Sequence, residues 1–158
     1  MLGNVRRNHA LEHATVSLIL ARLGPDLRLI GRASSDGFFI YGDVPPSLLA
    51  ECAKEGLARL QRGEAYWAVT PLCGTNIATA GVLAGLSTLA AVGNADRKDR
   101  VGNAILAAMV AVFVAQPLGR LIQRHVTTSP DLDGTEIVSV ESRPGGHFHK
   151  VKTRRTAA

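Results

Sequence analysis

Two long stretches without charged residues are the strongest feature of the hydrophobic pattern. No charged residue occurs between Ala65 and Ala95, and a second uncharged run covers Val101–Gly119. Helices over residues 75–93 and 101–122 would each be roughly 30 Å long, which matches the hydrocarbon thickness of a bilayer. Because the polar link between them is short, the two helices are expected to be antiparallel neighbours that form a transmembrane hairpin.

The alternative for these runs is a buried helical hairpin inside a soluble protein. A chain of 158 residues lacks the material to cover two such helices on all sides, so the pattern favours membrane spans. Both runs also carry small residues at helical spacing, which let helices approach closely: Gly81 and Gly85 in the first run, and Ala104, Ala108, Ala111 and Ala115 in the second. These faces are also candidate surfaces for a homo-oligomer.

Shorter amphipathic segments flank the two runs and are typical of a small α+β domain. Apolar residues at helical spacing, bounded by start and stop signals, indicate helices over residues 4–23 and 46–62. Turn signals between alternating segments predict two β-hairpins and a further strand or interfacial segment: Leu27–Ile30 with Phe38–Tyr41, Glu136–Glu141 with His147–Lys152 around Pro144, and residues 65–70. Since an isolated hairpin is marginal in water, the two hairpins are expected to pair in one antiparallel sheet.

The predicted fold class is therefore membrane α+β, a two-helix transmembrane hairpin with a small cytosolic domain of antiparallel sheet plus helices. Residues 1–71 would form the first part of that domain and residues 72–124 the membrane hairpin. Residues 125–158 would add the β-hairpin that completes the domain, and a basic tail. No signal-peptide pattern precedes the first helix, so both termini are expected in the cytoplasm, with the chain a multi-pass protein of the bacterial inner membrane.

The charge balance is basic, with 18 Lys and Arg against 13 Asp and Glu and a net charge of +5. The positive charges are spread along the chain, and the densest group lies in the tail at Lys150, Lys152, Arg154 and Arg155. Anionic lipid headgroups or simple solubility explain such residues near a span. The expected partner is therefore the lipid bilayer, and the pattern does not indicate nucleic-acid binding.

The candidate chemistry lies in His9-Ala-Leu-Glu12-His13 on the first predicted helix. His9 and His13 are four residues apart, so their side chains lie on one helix face about 6 Å apart. This is a common way to supply two ligands to zinc or a similar divalent ion, and Glu12 beside them could act as general base on a metal-bound water. In helical projection the three residues continue the apolar stripe of Val16 and Leu20, which indicates burial or a pocket.

The His-x-x-Glu-His order resembles the motif of the inverzincin metallopeptidases, which implies zinc-dependent hydrolysis. The third ligand of that family, a downstream glutamate, has no counterpart here, because the comparable distance falls inside the first span. Other side chains are therefore candidates for further ligands: Cys73, Asp131, Asp133, Glu51 and Glu55. Leu132-Asp133-Gly134 is also similar to the Leu-Asp-Gly element of intramembrane site-2 proteases, although a turn explains these residues more simply.

A second interpretation of the histidine motif is a hydrogen-bonded polar cluster in which Arg6 or Arg7 pairs with Glu12. Two functions stay open on this basis: a metal-dependent hydrolase or peptidase at the membrane surface, and a non-enzymatic, membrane-anchored interaction module. A third ligand beside His9 and His13 would favour the first. A Glu12–arginine ion pair, with both imidazoles bonded to the backbone, would favour the second.

Four separate segments resemble a bacterial family of unknown function whose members are small membrane proteins with two spans. The segments are Arg7–Thr15, Cys73–Asn76, Ala115–Gly119, and Thr127-Thr128 followed by Pro130–Leu132. The resemblance extends over nearly the full length of the chain. It implies the two-span architecture and carries no established activity.

Overall fold

The chain divides into two compact units in a computed structural model that describes residues 2–93, 96, 98–143 and 145–156. The first unit combines the residues up to Thr70 with those from Arg124 onward, and the second is Pro71–Gln123. These boundaries lie within a residue of the predicted ones. Asn94, Arg97 and the predicted turn residue Pro144 lie outside the described residues.

In the part of the chain that the structure describes, the first unit contains two α-helices and four strands, all close to the predicted segments. They are α1 (Leu2–Leu23), β1 (Ile30–Ser34), β2 (Gly37–Tyr41), α2 (Pro46–Gln61), β3 (Thr135–Ser142) and β4 (Phe148–Arg155). The first strand was predicted three residues too early. The two-residue turn Ser35-Asp36 pairs Ser34 with Gly37, so the strand before it must continue to Ser34.

The strand predicted at residues 65–70 is wrong, because Ala65–Ala68 forms a 3₁₀ helix instead. The Glu64 carboxylate accepts hydrogen bonds from the Tyr66 hydroxyl and the Trp67 indole N–H, both at 3.1 Å. Because both side chains bind the same acceptor, the backbone must turn tightly between them. An extended strand would point the two side chains in opposite directions and break one of these bonds.

The four strands form one antiparallel sheet in the order β1-β2-β4-β3. The central contact pairs β2 with β4, from Gly37 opposite Lys152 to Tyr41 opposite Phe148, so the predicted pairing of the two hairpins is confirmed. Helices α1 and α2 pack on one face of the sheet. The core between these layers is fully buried and includes Leu11, Ile19, Phe38, Ile40, Leu49 and Val151.

The second unit consists of two helices that pack against each other, α3 (Gly74–Gly93) and α4 (Arg100–Ile122). Both are long and apolar enough to cross a membrane, with mean hydropathies of 1.5 and 1.9. Their most apolar windows are only 6% and 17% buried. A core helix of a soluble protein would show mostly buried side chains, so the exposure speaks against that alternative.

Candidate metal site

Helix α1 places the histidine motif on the side that faces the sheet and the 3₁₀ helix. Glu12 and His13 are buried, with exposed fractions of 7% and 2%, and His9 is partly buried. The two imidazole rings lie edge to face with centroids 4.3 Å apart. The predicted stripe is therefore real: three ionisable side chains stand where an amphipathic helix usually has aliphatic ones.

Main-chain carbonyls define the tautomers of both imidazoles. The Nδ1 atom of His9 lies 3.0 Å from the carbonyl oxygen of Thr127, and the Nδ1 atom of His13 lies 2.8 Å from that of Ala68. A carbonyl oxygen only accepts hydrogen bonds, so the Nδ1 atom of each ring carries a proton, and in an uncharged ring the lone pair is then on Nε2. In metal-binding histidines, the ring nitrogen that does not bind the metal usually donates a hydrogen bond of this kind.

The Nε2 atom of His13 is buried and has no hydrogen-bond partner within the described part of the chain. Buried polar atoms in proteins nearly always have a partner, and leaving one without costs free energy. This nitrogen, held in place by the bond at Nδ1, is therefore the feature of the histidine motif that most needs an explanation.

Glu12 lies beside His9, with Oε2 3.8 Å from the Nε2 atom of that ring. Burial raises the pKa of Glu12 from 4.5 to about 7, and the nearby His9 offsets the rise only in part. The carboxyl group packs on Gly31 of β1, where any Cβ would overlap its Oε1 atom. Glycine at this position thus makes room for a carboxylate whose proton affinity suits acid–base chemistry near pH 7.

Neither neighbouring arginine neutralises Glu12, so the predicted pairing of Arg6 or Arg7 with it is wrong. Arg6 donates to the carbonyl oxygens of His125 and Thr128 instead, each at 3.0 Å. Arg7 donates to the carboxylate and the carbonyl oxygen of Asp131. Both arginines therefore tie the first half of α1 to the segment that precedes β3.

The acidic residues considered as further ligands lie at other places in the fold. Glu51 and Glu55 bind Arg22, which is nine residues beyond His13 and so about 13 Å further along α1. Asp131 is exposed and pairs with Arg7 and Arg155. The structure therefore does not bring these carboxylates to the two imidazoles.

The remaining candidates are Asp133 and Cys73. Asp133 lies in the turn that leads into β3, where its carbonyl oxygen accepts a bond from Arg155 and Gly134 has a positive φ of 68°. This geometry is that of a turn, the simpler of the two predictions for Leu132-Asp133-Gly134. Cys73 is a buried cysteine just before α3, with its Sγ 3.4 Å from the backbone N of Thr75. Its role as a ligand stays a prediction.

The last histidine pair of the sequence, His147 and His149, does not form a second site. His149 is fully buried on β4, and both of its nitrogens have partners, the Ser142 hydroxyl at 2.7 Å and the Gly146 carbonyl at 2.9 Å. His147 precedes the strand and is exposed. The contrast with His13 is informative, because a structural histidine in this fold has both nitrogens satisfied.

Comparison with known proteins places the chain in a family. A model for a domain of unknown function, DUF6391, matches residues 4–140. The chain belongs to this family. An uncharacterised protein of Picosynechococcus sp. is 32% identical over 165 aligned residues, which cover 95% of this chain and 79% of that relative. No solved structure matches the chain. The expected membership of a bacterial family of unknown function is thus confirmed, and DUF6391 assigns no activity to the histidine motif.

Sequence reasoning missed three features of this site, the Thr127 and Ala68 carbonyls and Gly31. Backbone carbonyls leave no trace in the residue types, so the two hydrogen bonds at Nδ1 could not be predicted. Gly31 follows Ile30 in the first strand, and a glycine inside a strand indicates a bulge or a close approach. That signal could have pointed to the carboxylate that packs on it.

Proposed function

We propose that this protein is an integral membrane protein that binds a divalent metal ion, zinc by donor chemistry, through the Nε2 atoms of His9 and His13. The observation that carries the proposal is the buried Nε2 lone pair of His13, unpartnered within the described residues while Nδ1 is held by a carbonyl. Neutral imidazoles oriented in this way are the usual nitrogen ligands of zinc. Cys73 is kept as the predicted third ligand because it follows Ala68, which holds His13, by only five residues.

The chemistry proposed for the site is hydrolysis at the membrane surface. A bound divalent ion supplies a Lewis acid that lowers the pKa of a coordinated water toward neutrality. Glu12 is positioned to accept the proton, since its carboxylate is buried beside His9 and its pKa of about 7 lets it take up and release protons near neutral pH. Arg6 and Arg7 leave the carboxylate available for this role by binding elsewhere.

Metal analysis of the detergent-purified full chain tests the binding step. After equal exposure to zinc and dialysis, wild type should retain about one ion per chain, and the His9→Ala/His13→Ala variant should lose it. The matched control is His125→Ala/His147→Ala, which removes two exposed imidazoles from the same unit. Equal zinc retention by wild type and the His9/His13 variant would disprove the site.

Cobalt substitution then separates ligands from the general base. Cys73→Ser should remove a thiolate-to-cobalt charge-transfer band while leaving the ion bound more weakly. Glu12→Gln should keep the ion and its imidazole ligands, but change the pH dependence of the visible spectrum. If Glu12→Gln abolishes binding altogether, Glu12 is itself a ligand and the proposed base role is wrong.

The rival function, a non-enzymatic membrane-anchored interaction module, also has an observation in its favour. Both imidazoles are bonded to the backbone, as that interpretation expected, although His13 is bonded through Nδ1 only. The arginine partner that it required for Glu12 is missing from the described ion pairs, which give Glu12 only His9. The metal site accounts for the unpartnered Nε2 atom of His13, and the interaction module does not.

The membrane part of the proposal is that α3 and α4 cross the bacterial inner membrane as a hairpin, with both termini in the cytoplasm. Their length, hydropathy and exposure support it. A single cysteine at Asn94, in a variant without native cysteines, should react with an impermeant maleimide only from outside the cell membrane. The same cysteine placed at Lys54, an exposed residue of α2, should react only from the cytoplasmic side. The reverse labelling pattern would overturn the topology.

A further inference from the structure

The face of the sheet opposite α1 and α2 carries an unusual set of side chains. Phe39, Tyr41 and Phe148 cluster there, with ring centroids 5.6 Å apart for Phe39–Phe148 and 5.1 Å apart for Tyr41–Phe148. The whole chain has only four Phe, two Tyr and one Trp. An aromatic cluster outside the core of so aromatic-poor a chain calls for an explanation beyond folding.

The strand register arranges this face in rows of different chemistry. Residues that are directly paired across antiparallel strands point to the same side. The first row is apolar, the second combines two basic residues, one ring and the acidic Glu141 of β3, and the third is small or polar: Ile30-Tyr41-Phe148, then Arg32-Phe39-Lys150-Glu141, then Ser34-Gly37-Lys152-Ser139. The first row is also open to solvent, with Ile30 69% and Tyr41 38% exposed. We call this row, together with Arg32 of the second row and Arg143 beside Phe148, the apolar end of the sheet.

The basic residues on this face of the sheet differ in whether they form ion pairs. Lys150 binds Asp36 and Lys152 binds Glu141, both at 2.7 Å. Arg32 and Arg143, in contrast, take part in none of the ion pairs found among the described residues, and Arg143 lies 4.8 Å above the Phe148 ring. Two arginines outside these ion pairs thus flank an exposed aromatic and aliphatic row, and the exposed Asp43 follows the end of β2 by two residues.

We propose that the apolar end of the sheet docks on the surface of an anionic phospholipid bilayer. The order of the rows fits the depth profile of such a surface: aromatic and aliphatic groups enter the boundary between headgroups and acyl chains, and arginines meet the phosphates. The inference rests on the proposed membrane insertion of α3 and α4. Once the chain is held at a bilayer, the effective concentration of lipid is high, so two arginines and three apolar side chains suffice.

Single-stranded nucleic acid, the other polyanion that aromatic sheets bind, fits less well. Base stacking needs ring faces that are open. Here Lys150 Nζ covers Phe39 at 3.9 Å from the ring centroid, and the Arg143 guanidinium covers Phe148. The rows also change from apolar to polar along the strands. A bilayer surface changes in the same way with depth, whereas an extended nucleotide chain repeats the same phosphate and base groups along its length.

Quenching of tryptophan by brominated lipid tests the docking in the full chain. In a Trp67→Phe background, Tyr41→Trp places the only tryptophan at the apolar end. In bilayers of brominated phosphatidylglycerol and phosphatidylcholine its emission should be quenched. Ser139→Trp, on the same face in the third row, should stay bright because the register places it away from the apolar end. Leu86→Trp on α3 reports insertion itself, and its quenching shows that the membrane proposal holds independently of the docking.

Charge reversal tests the arginines with a matched control. In the Tyr41→Trp reporter, Arg32→Glu and Arg143→Glu should each reduce the quenching, whereas Lys54→Glu, the same change on an exposed residue of α2, should not. Omitting phosphatidylglycerol should reduce the quenching of the reporter that carries no charge reversal.

Two results would overturn the docking while the membrane insertion stands or is not in question. One is quenching of the Leu86→Trp reporter without quenching of the Tyr41→Trp reporter. The other is a Tyr41→Trp reporter that responds to single-stranded RNA and not to lipid. If the Leu86→Trp reporter itself stays bright, the membrane insertion fails, and the docking that depends on it falls too.

Discussion

Helix α1 and the pair α3–α4 distribute polar and apolar side chains in opposite ways. Helix α1 buries Asn8, Glu12, His13 and Thr15 while its ends expose leucines. Helices α3 and α4 expose most of their large apolar side chains and bury small or amide groups: Asn76 on α3, and Ala111, Ala115 and Gly119 on α4. Each region breaks the rule that apolar groups lie inside and polar groups outside, but for a different reason.

The difference separates a departure shared by two whole helices from one made by single buried groups. The proposed bilayer would explain the first, because an apolar solvent stabilises the many leucines and valines that α3 and α4 expose. A few buried ionisable groups in an otherwise ordinary core lower the stability of the fold, and such groups are often found at functional sites. The first pattern is spread over two helices, whereas the second involves single groups: Glu12 and His13 on α1, and His149 and Lys150 on β4.

Truncation after Gln123 should have the largest effect. It should unfold the first unit and leave the α3–α4 pair folded. It removes β3 and β4, and β4 pairs with β2 at the centre of the sheet, so Phe38 and Ile40 lose the cover of Val151. The remaining part of the first unit should be cut throughout by limited proteolysis in detergent. Helices α3 and α4 should resist proteolysis, since they belong to a unit that is compact on its own. A fragment whose first 70 residues stay protected would show that the C-terminal strands are dispensable.

A single charge on the exposed apolar surface should have the next largest effect. Leu86 lies near the middle of α3 and is 61% exposed. In a bilayer, Leu86→Arg should cost about 3 kcal/mol and reduce the fraction of protein that resists carbonate extraction. The control is Leu23→Arg at the end of α1, 47% exposed, where an effect within about 0.5 kcal/mol is expected. If the two variants behave alike, α3 does not face lipid.

The two long apolar helices and the paired β-hairpins could be predicted from sequence because each depends on a repeated pattern. The absence of charge over 30 residues and the alternation around Asp36-Gly37 are both recognisable even when the first residue of an element is misplaced by a few positions. The site is different, since it depends on single contacts. Helical spacing put His9, Glu12 and His13 on one face, but the partner of Arg7, an aspartate 124 positions away, follows from tertiary packing alone.

The same limit explains the two errors in secondary structure. Leu27 and Leu29 do pack against the core, as the alternating pattern required, but they do so before the strand begins. Tyr66 and Trp67 have the composition of a strand, yet Glu64 draws both side chains back to one acceptor. Periodicity detects which side chains are buried, and it does not decide which backbone conformation buries them.

The buried carboxylate of α1 should make stability depend on pH. The pKa of Glu12 is about 7 in the fold against 4.5 when unfolded, so the native state holds a proton that the unfolded state releases. Stability from this group is therefore complete below pH 4.5 and is lost as the pH rises through 7. The shift corresponds to roughly 3 kcal/mol in the metal-free protein.

Glu12→Gln should remove this dependence, because glutamine carries no charge at any pH. Denaturant unfolding of metal-free protein should find the variant more stable than wild type by up to about 3 kcal/mol at pH 8, and close to wild type at pH 4.5, which serves as the internal control. A variant that is less stable at pH 8 would mean that the charged carboxylate is already well solvated in the fold.

The smallest expected effect concerns the few polar groups that the hairpin buries. The Gln123 side chain is fully buried and donates from Nε2 to Oδ1 of Asn76 at 2.8 Å, while the Asn76 amide donates to the Pro71 carbonyl at 3.0 Å. In a bilayer an interhelical hydrogen bond of this kind contributes only about 0.6 kcal/mol on average, because a helix in lipid finds other partners when the bond is broken. In water, a buried amide left without its partner costs about 1–3 kcal/mol.

A double-mutant cycle of Gln123→Ala and Asn76→Ala, measured by reversible unfolding in lipid bicelles, should therefore give a coupling near the lower value. Asn103→Ala, an exposed amide on α4, is the matched control and should leave stability unchanged. A coupling well above 1 kcal/mol would place this pair in a protein core, and the inside-out description of α3 and α4 would then fail at the end where Gln123 lies.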